Sequence, residues 1–159
     1  MRIKLLDYTP LPERLCASAM RQCRSKKSAD QIYMELSNDE VNRLIKLAIN
    51  LGHESILEHA VFTFLIEGIS RVTSHQLVRH RIASYSQQSQ RHVKPDLIIY
   101  PPSITKNNET FKIYRNAVMH CGKAYEQLIM HGIPLEDARY VLPQAIETKI
   151  VVTMNAREL

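Results

Sequence analysis

The chain has 159 residues, enough for one compact core that needs neither disulfides nor a structural metal. Its 45% hydrophobic and 23% charged content, with only 4 Gly and 7 Pro, excludes a disordered, collagenous or linker-like chain. Lys and Arg outnumber Asp and Glu by 21 to 16, and this net charge of +5 suits an anionic partner such as a nucleotide, a cofactor phosphate or nucleic acid, without choosing among them. No apolar run approaches the ~20 residues that span a bilayer, and the opening MRIKLLDYTP lacks the apolar stretch of a secretory leader. A cytoplasmic location with no membrane partner is therefore expected. Cys16, Cys23 and Cys121 are odd in number and read as reduced core thiols and not as a disulfide framework.

In chain order, residues 2–7 read as a short edge-type strand and 10–24 as a helix with Leu15, Ala19 and Cys23 on one stripe. Ser37 and Glu40 form the S-x-x-E capping box of the next helix, whose buried face is Val41, Leu44, Ile45 and Ala48 and whose end falls at Gly52. Residues 60–69 are apolar and rich in β-formers, which predicts a buried strand. Ser70 is placed to cap a helix over 70–81, followed by an irregular polar stretch, IASYSQQSQRH, that closes at Pro95. Phe111, Tyr114, Val118, Cys121, Tyr125 and Leu128 recur at alternating steps of three and four, so 109–131 is a long amphipathic helix ended by Gly132. A short helix follows Pro134 and stops before Pro143. Residues 146–155 alternate as a half-buried strand, with Ile146, Thr148, Ile150, Val152 and Met154 on one face. No repeat or linker marks a domain boundary.

The chemistry concentrates after residue 75. On a continuous helix Gln76, Arg79 and His80 share one face while Arg81 points elsewhere, so one helix end offers cations in two directions, as two ligands or a shared interface would need. The next segment supplies Ser84, Ser86, Gln87, Gln88, Ser89 and Gln90 before Arg91, a run of hydroxyls and amides without a carboxylate that can surround a phosphate. It lacks the glycines of a P-loop or a dinucleotide fingerprint. Blander readings stand beside these: Arg-His-Arg as partners of a helix dipole, the Ser/Gln run as a solvated loop, and Arg139 and Arg157 as ordinary surface arginines. The seven His residues show no metal-ligand spacing, so no metal is expected, and Ser89 has no nucleophile-elbow context.

Arg79-His80-Arg81, then seven residues, then Ser89 and Arg91, resembles the signature of the flavin-dependent thymidylate synthases, the ThyX family. GHESILEHAVFTF from Gly52, ARYVLP from Ala138 and the terminal TMNAREL are similar to that family's segments in the same order. The resemblance implies an α+β fold, mixed helices packed on a mainly antiparallel sheet, as a single catalytic domain over 1–159. It implies a homotetramer with active sites shared between subunits, and reductive methylation of dUMP to dTMP, with carbon from methylenetetrahydrofolate and hydride from FAD reduced by NADPH. Carried over by position, Gln76, Arg79, Gln87, Gln88, Ser89, Gln90, Arg91 and, from a neighbouring subunit, Arg139 would hold dUMP. His53, Ser55, Arg79, His80, Arg81, Gln87, Asn155 and Arg157 would hold FAD, with Glu58 a lesser candidate and His53 lying where folate or the reductant docks.

The chain departs from the family pattern at Ser86, Gln87 and His92, where many members have Asn, Glu and Tyr. It ends at Leu159, where the family continues into a helical segment carrying an Asn for FAD and the uracil-activating Arg, so no catalytic residue is assigned. A chain ending there is expected to be weakly active or inactive. The rival readings are an inactive homologue that binds nucleotide or flavin, and a basic nucleic-acid-binding module with 70–81 as its reading helix.

Overall fold

The computed structural model describes residues 1–159. Strand β1 spans Arg2–Tyr8, and helices α1, α2 and α3 span Pro12–Gln22, Ala29–Glu35 and Asn38–Asn50. A 3₁₀ segment at Glu54–His59 leads into β2, Val61–Ser70. Helix α4, Arg71–Leu77, precedes β3, Ala83–Gln87, and then come α5, Pro102–Thr105, and the long α6, Asn108–Met130. Helix α7, Leu135–Ala138, continues as a 3₁₀ turn at Arg139–Val141 before β4, Glu147–Asn155. The strands form one antiparallel sheet in the order β1-β2-β4-β3, so the fold is α+β, as expected.

The chain packs as two compact units. One comprises Met1–Ile3, Ile66–Arg79 and Ser86–Ile150; the other comprises Lys4–Leu65, His80–Tyr85 and Val151–Leu159.

In the second unit the core is helical. Ala17, Ile32, Leu36 and Val41 form a buried cluster with Leu44 and Ile45 against it. Two capping boxes start its helices: Ser28 with Gln31 for α2, and Ser37 with Glu40 for α3. Each serine and its partner reciprocally satisfy backbone donors that have no acceptor inside the helix. Arg14 locks the connection between them by donating to the carbonyls of Tyr33 and Leu36, at 3.0 and 2.6 Å, and to Asn38 Oδ1 at 3.0 Å. Gly52, at φ +70°, takes the left-handed position just past α3.

Helix α1 is shorter than the expected 10–24, because Leu11 adopts a left-handed conformation at φ 47° and delays its start to Pro12. Its buried residues are Cys16, Ala17 and Ser18, since α1 packs on α2, α3 and the 3₁₀ segment together. The expected stripe of Leu15, Ala19 and Cys23 instead lines an open apolar groove beside Tyr33 and His59. Helix α2 and the 3₁₀ segment were not expected from the pattern. Strand β2 is half-buried over most of its length, because every residue of the adjacent β1 is exposed and shields it little. Tyr8 and Phe62 stack at 6.3 Å there, and Thr63 meets Thr153 of β4 at 3.0 Å.

In the first unit, α6 supplies the scaffold. Asn107 caps it by accepting from the backbone of Glu109 and Thr110, and Gly132, at φ +80°, ends it. Tyr114 Oη donates to the Ile99 carbonyl at 2.6 Å, and Tyr100 packs edge-on against Tyr114, which holds the 97–100 segment to the helix. Ile146, Thr148 and Ile150 of the β4 region are buried, as its alternation predicts.

Candidate functional site

Ser70 caps α4 by accepting from Thr73 N at 3.2 Å, but the helix stops at Leu77 and does not reach 81. Arg79 N closes a tight turn on the Gln76 carbonyl at 3.1 Å, after which the chain extends into β3. Pairing of β3 on the sheet competes with further helix and wins. The helical face expected for Gln76, Arg79 and His80 therefore does not form, because the helix ends before Arg79. The stretch beginning at Ala83 is also a strand through Gln87 and not an irregular loop; polar, short strands of this kind are typical of a sheet edge.

Within the first unit, Gln87 points inward. Its Nε2 donates to Ser74 Oγ at 2.7 Å and to Thr148 Oγ1 at 3.0 Å. Beyond it, Gln88 N pairs with the Lys149 carbonyl at 2.9 Å, and the chain turns at Ser89, whose Oγ accepts from Arg91 N at 3.2 Å and whose carbonyl accepts from Val93 N. Gln88, Ser89 and Gln90 are half-buried, and the Arg91 side chain is exposed with no protein acceptor or carboxylate. Gln76 and Arg79 are exposed as well.

Arg71 and Arg139 belong to the same unit. Arg71 Nη1 approaches the Gln88 carbonyl at 3.4 Å, while Arg139 Nε donates to the Glu136 carbonyl at 2.9 Å. Both side chains are half-buried and neither meets a carboxylate. Burial and the Arg139 charge lower the Arg71 pKa, the electrostatic condition of cations gathered without a counter-ion. Arg71 escaped the sequence reading. It stands in the first turn of α4, which has no acidic residue, where the helix dipole disfavours a cation; that mismatch was the available signal.

Within the second unit, His80 and Arg81 are exposed, and Tyr85 Oη donates to the His80 carbonyl at 2.8 Å. Asn155 Oδ1 accepts from Arg157 N and Glu158 N, at 3.0 and 3.1 Å, forming the turn after β4. The Arg157 guanidinium pairs with Glu58, which raises the arginine's pKa. His53 and Ser55 are exposed and line one groove with Arg24 and Arg43. Cys16, Cys23 and Cys121 are free thiols, but only Cys16 is a core residue, since Cys23, at the end of α1, is exposed and Cys121 is half-buried; no cluster of three His, Cys, Asp or Glu gathers to bind a metal. No helix is long and apolar enough to cross a membrane.

This arrangement matches known proteins along the whole chain. The sequence model of the family described as "Thymidylate synthase complementing protein" matches residues 4–159. A flavin-dependent thymidylate synthase of Geobacter sulfurreducens is 50% identical over 165 residues, covering 100% of this chain and 70% of the relative. The chain belongs to this family. The flavin-dependent thymidylate synthase of Clostridium tetani is 46% identical, with 71% of its length covered, and that of Sulfolobus acidocaldarius is 50% identical, with 62% covered. A UMP/dUMP methylase, PolB, from Streptomyces cacaoi, solved with 5-Br dUMP, superimposes with a TM-score of 0.84 at 23% identity, over 99% of this chain and 74% of that one. The fold of the flavin-dependent thymidylate synthases is therefore present in this chain, and the enzyme class of the family is methyl transfer.

Proposed function

We propose that this chain makes dTMP from dUMP, taking carbon from methylenetetrahydrofolate. The observation that carries the reading is that Arg71 and Arg139, both half-buried and without a carboxylate, belong to the same unit as the Ser89 turn, where Arg71 Nη1 reaches the Gln88 carbonyl at 3.4 Å. A nucleotide phosphate supplies the missing counter-charge. Ser89 and Arg91 bind it with backbone groups of Gln88 and Gln90, while Gln76 and Arg79 position the rest of the nucleotide. Gln87 contributes through its backbone, since its amide hydrogens are committed to Ser74 and Thr148.

The donor set of the second unit suits FAD. Arg81 carries a guanidinium that no carboxylate neutralises, as a diphosphate requires, and His80 and Ser55 add polar contacts. Asn155 retains its amide donors for the cofactor because the turn uses only its carbonyl oxygen. Arg157 reaches it only after exchanging Glu58 for the ligand. Bound FAD, reduced by NADPH, supplies the hydride. Arg71, Arg91 and Arg139 act by holding the anionic substrate in place, which lowers the entropic cost of bringing the reacting groups together. The working form is a cytoplasmic homotetramer with active sites shared between subunits.

The test is incubation of the protein with FAD, dUMP, methylenetetrahydrofolate and NADPH, with chromatography of the nucleotides. The reading expects dTMP formation that disappears when any one of the four is omitted. Uptake of flavin and dUMP without dTMP would contradict it and favour an inactive nucleotide-binding homologue.

A further inference from the structure

Two hydroxyls occupy core positions of the first unit. Ser74 is 0% and Thr148 2% exposed, and Thr148 stands between the buried Ile146 and Ile150 on the inner face of β4. Alanine and valine would serve packing there, and a buried hydroxyl adds a desolvation cost that only a hydrogen bond offsets. Both hydroxyls take that bond from one donor, the Gln87 carboxamide, at 2.7 and 3.0 Å.

The direction of these bonds is fixed by Ser74. Its single hydroxyl hydrogen goes to the Arg71 carbonyl at 3.0 Å, so toward residue 87 it can only accept, and the Gln87 amide nitrogen must face it. The contacts then close a ring: Arg71 to Ser74, Ser74 to Gln87, along the chain to Gln88, and from the Gln88 carbonyl back to Arg71 Nη1 at 3.4 Å. Backbone bonds pin the ring on two sides, from Arg71 N to the Ile146 carbonyl at 3.0 Å and from Gln88 N to the Lys149 carbonyl at 2.9 Å. It uses protein atoms alone, and it joins the Arg71 guanidinium to the start of the Ser89 turn.

We propose that Ser74 and Thr148 are positioning residues for the phosphate of dUMP: by orienting Gln87 they hold Arg71 and the Gln88–Arg91 turn in register with each other. This rests on the nucleotide reading above and adds to it two residues that act only through others. Donors already in place spare the binding step the ordering of a loop, so removing either hydroxyl weakens recognition of the phosphate in particular.

The test is calorimetric titration of the FAD-loaded protein with dUMP and with deoxyuridine, which lacks the phosphate; the ratio of the two affinities reads the phosphate's share of binding. Thr148→Val removes a hydroxyl and keeps the shape, Thr148→Ser keeps the hydroxyl, and Ser74→Ala probes the second partner independently. The ratio should fall about tenfold in Thr148→Val and in Ser74→Ala, the order of one lost hydrogen bond, and stay within about twofold of the parent in Thr148→Ser. An unchanged ratio in both hydroxyl-deleted variants overturns the assignment even if their melting temperatures drop, because a merely structural role loosens both ligands alike. An equal fall in Thr148→Ser and Thr148→Val also overturns it, since the loss would then follow the methyl group. If the parent itself binds dUMP no more tightly than deoxyuridine, the nucleotide reading fails and this inference with it; a parent that prefers dUMP, with variants that match it, removes this inference alone.

Discussion

Gln87 donates both hydrogens of its amide to hydroxyls, reaching Ser74 Oγ at 2.7 Å and Thr148 Oγ1 at 3.0 Å. Ser74 and Thr148 are buried, and Ser74 Oγ donates in turn to the Arg71 carbonyl at 3.0 Å. One side chain thus ties β3 to α4 and β4 immediately before the Gln88–Arg91 turn. Gln87→Ala should leave two buried hydroxyls without this donor and cost about 1–3 kcal/mol of stability, read from urea unfolding. Gln87→Glu should cost less, because Ser74 and Thr148 can then act as donors to the carboxylate, although Ser74 must release the Arg71 carbonyl.

Arg71 should matter for substrate and little for folding. It makes one long contact, to the Gln88 carbonyl at 3.4 Å, and its charge is disfavoured by burial and by Arg139. Arg71→Gln should therefore leave the melting temperature unchanged or slightly raised and weaken dUMP binding roughly 10- to 100-fold, measured by calorimetric titration.

The α3 cap predicts an acid limb in stability. The hydrogen bond from Ser37 N, with help from Arg21, lowers the Glu40 pKa below the ordinary carboxylate value. The unfolded chain then binds the proton more tightly than the folded one. Glu40's contribution is complete above its unfolded pKa of about 4.3 and is lost as pH falls through the depressed folded value. Thermal melts of the parent and Glu40→Gln should differ near neutrality and converge in acid.

Gly68 interrupts β2 at φ +70°, and a Cβ there would lie 3.1 Å from the Met1 backbone. Both the backbone conformation and the space exclude a side chain. Gly68→Ala should destabilise the protein by about 1 kcal/mol or more, measured by denaturant unfolding, while Gly122→Ala in α6, where a Cβ meets nothing within 4 Å, should not.

Elements specified by local chemistry were legible in the sequence. The Ser37–Glu40 box, the alternation of β4 and the long period of α6 each belong to one segment and survive packing. Elements decided by distant partners were not. Helix α4 ends at Leu77 because β3 joins the sheet, and Cys16 to Ser18 became the buried face of α1 because three neighbours pack on it at once. The site divides in the same way. Arg79 to Arg81, Ser89 and Arg91 are contiguous enough to be read as a motif, and the family match is consistent with that reading. Arg71 gains meaning only beside Arg139, and the commitment of Gln87 to Ser74 and Thr148 depends on residues 13 and 61 positions away.

The central claim is that a flavin and a nucleotide bind together on this protein. The most direct measurement is the visible spectrum of the FAD-loaded protein during titration with dUMP. The account predicts a saturable perturbation of the flavin bands that is weakened by Arg71→Gln and by Arg91→Ala. A flavin spectrum unmoved by saturating dUMP, or no retained flavin, would contradict it.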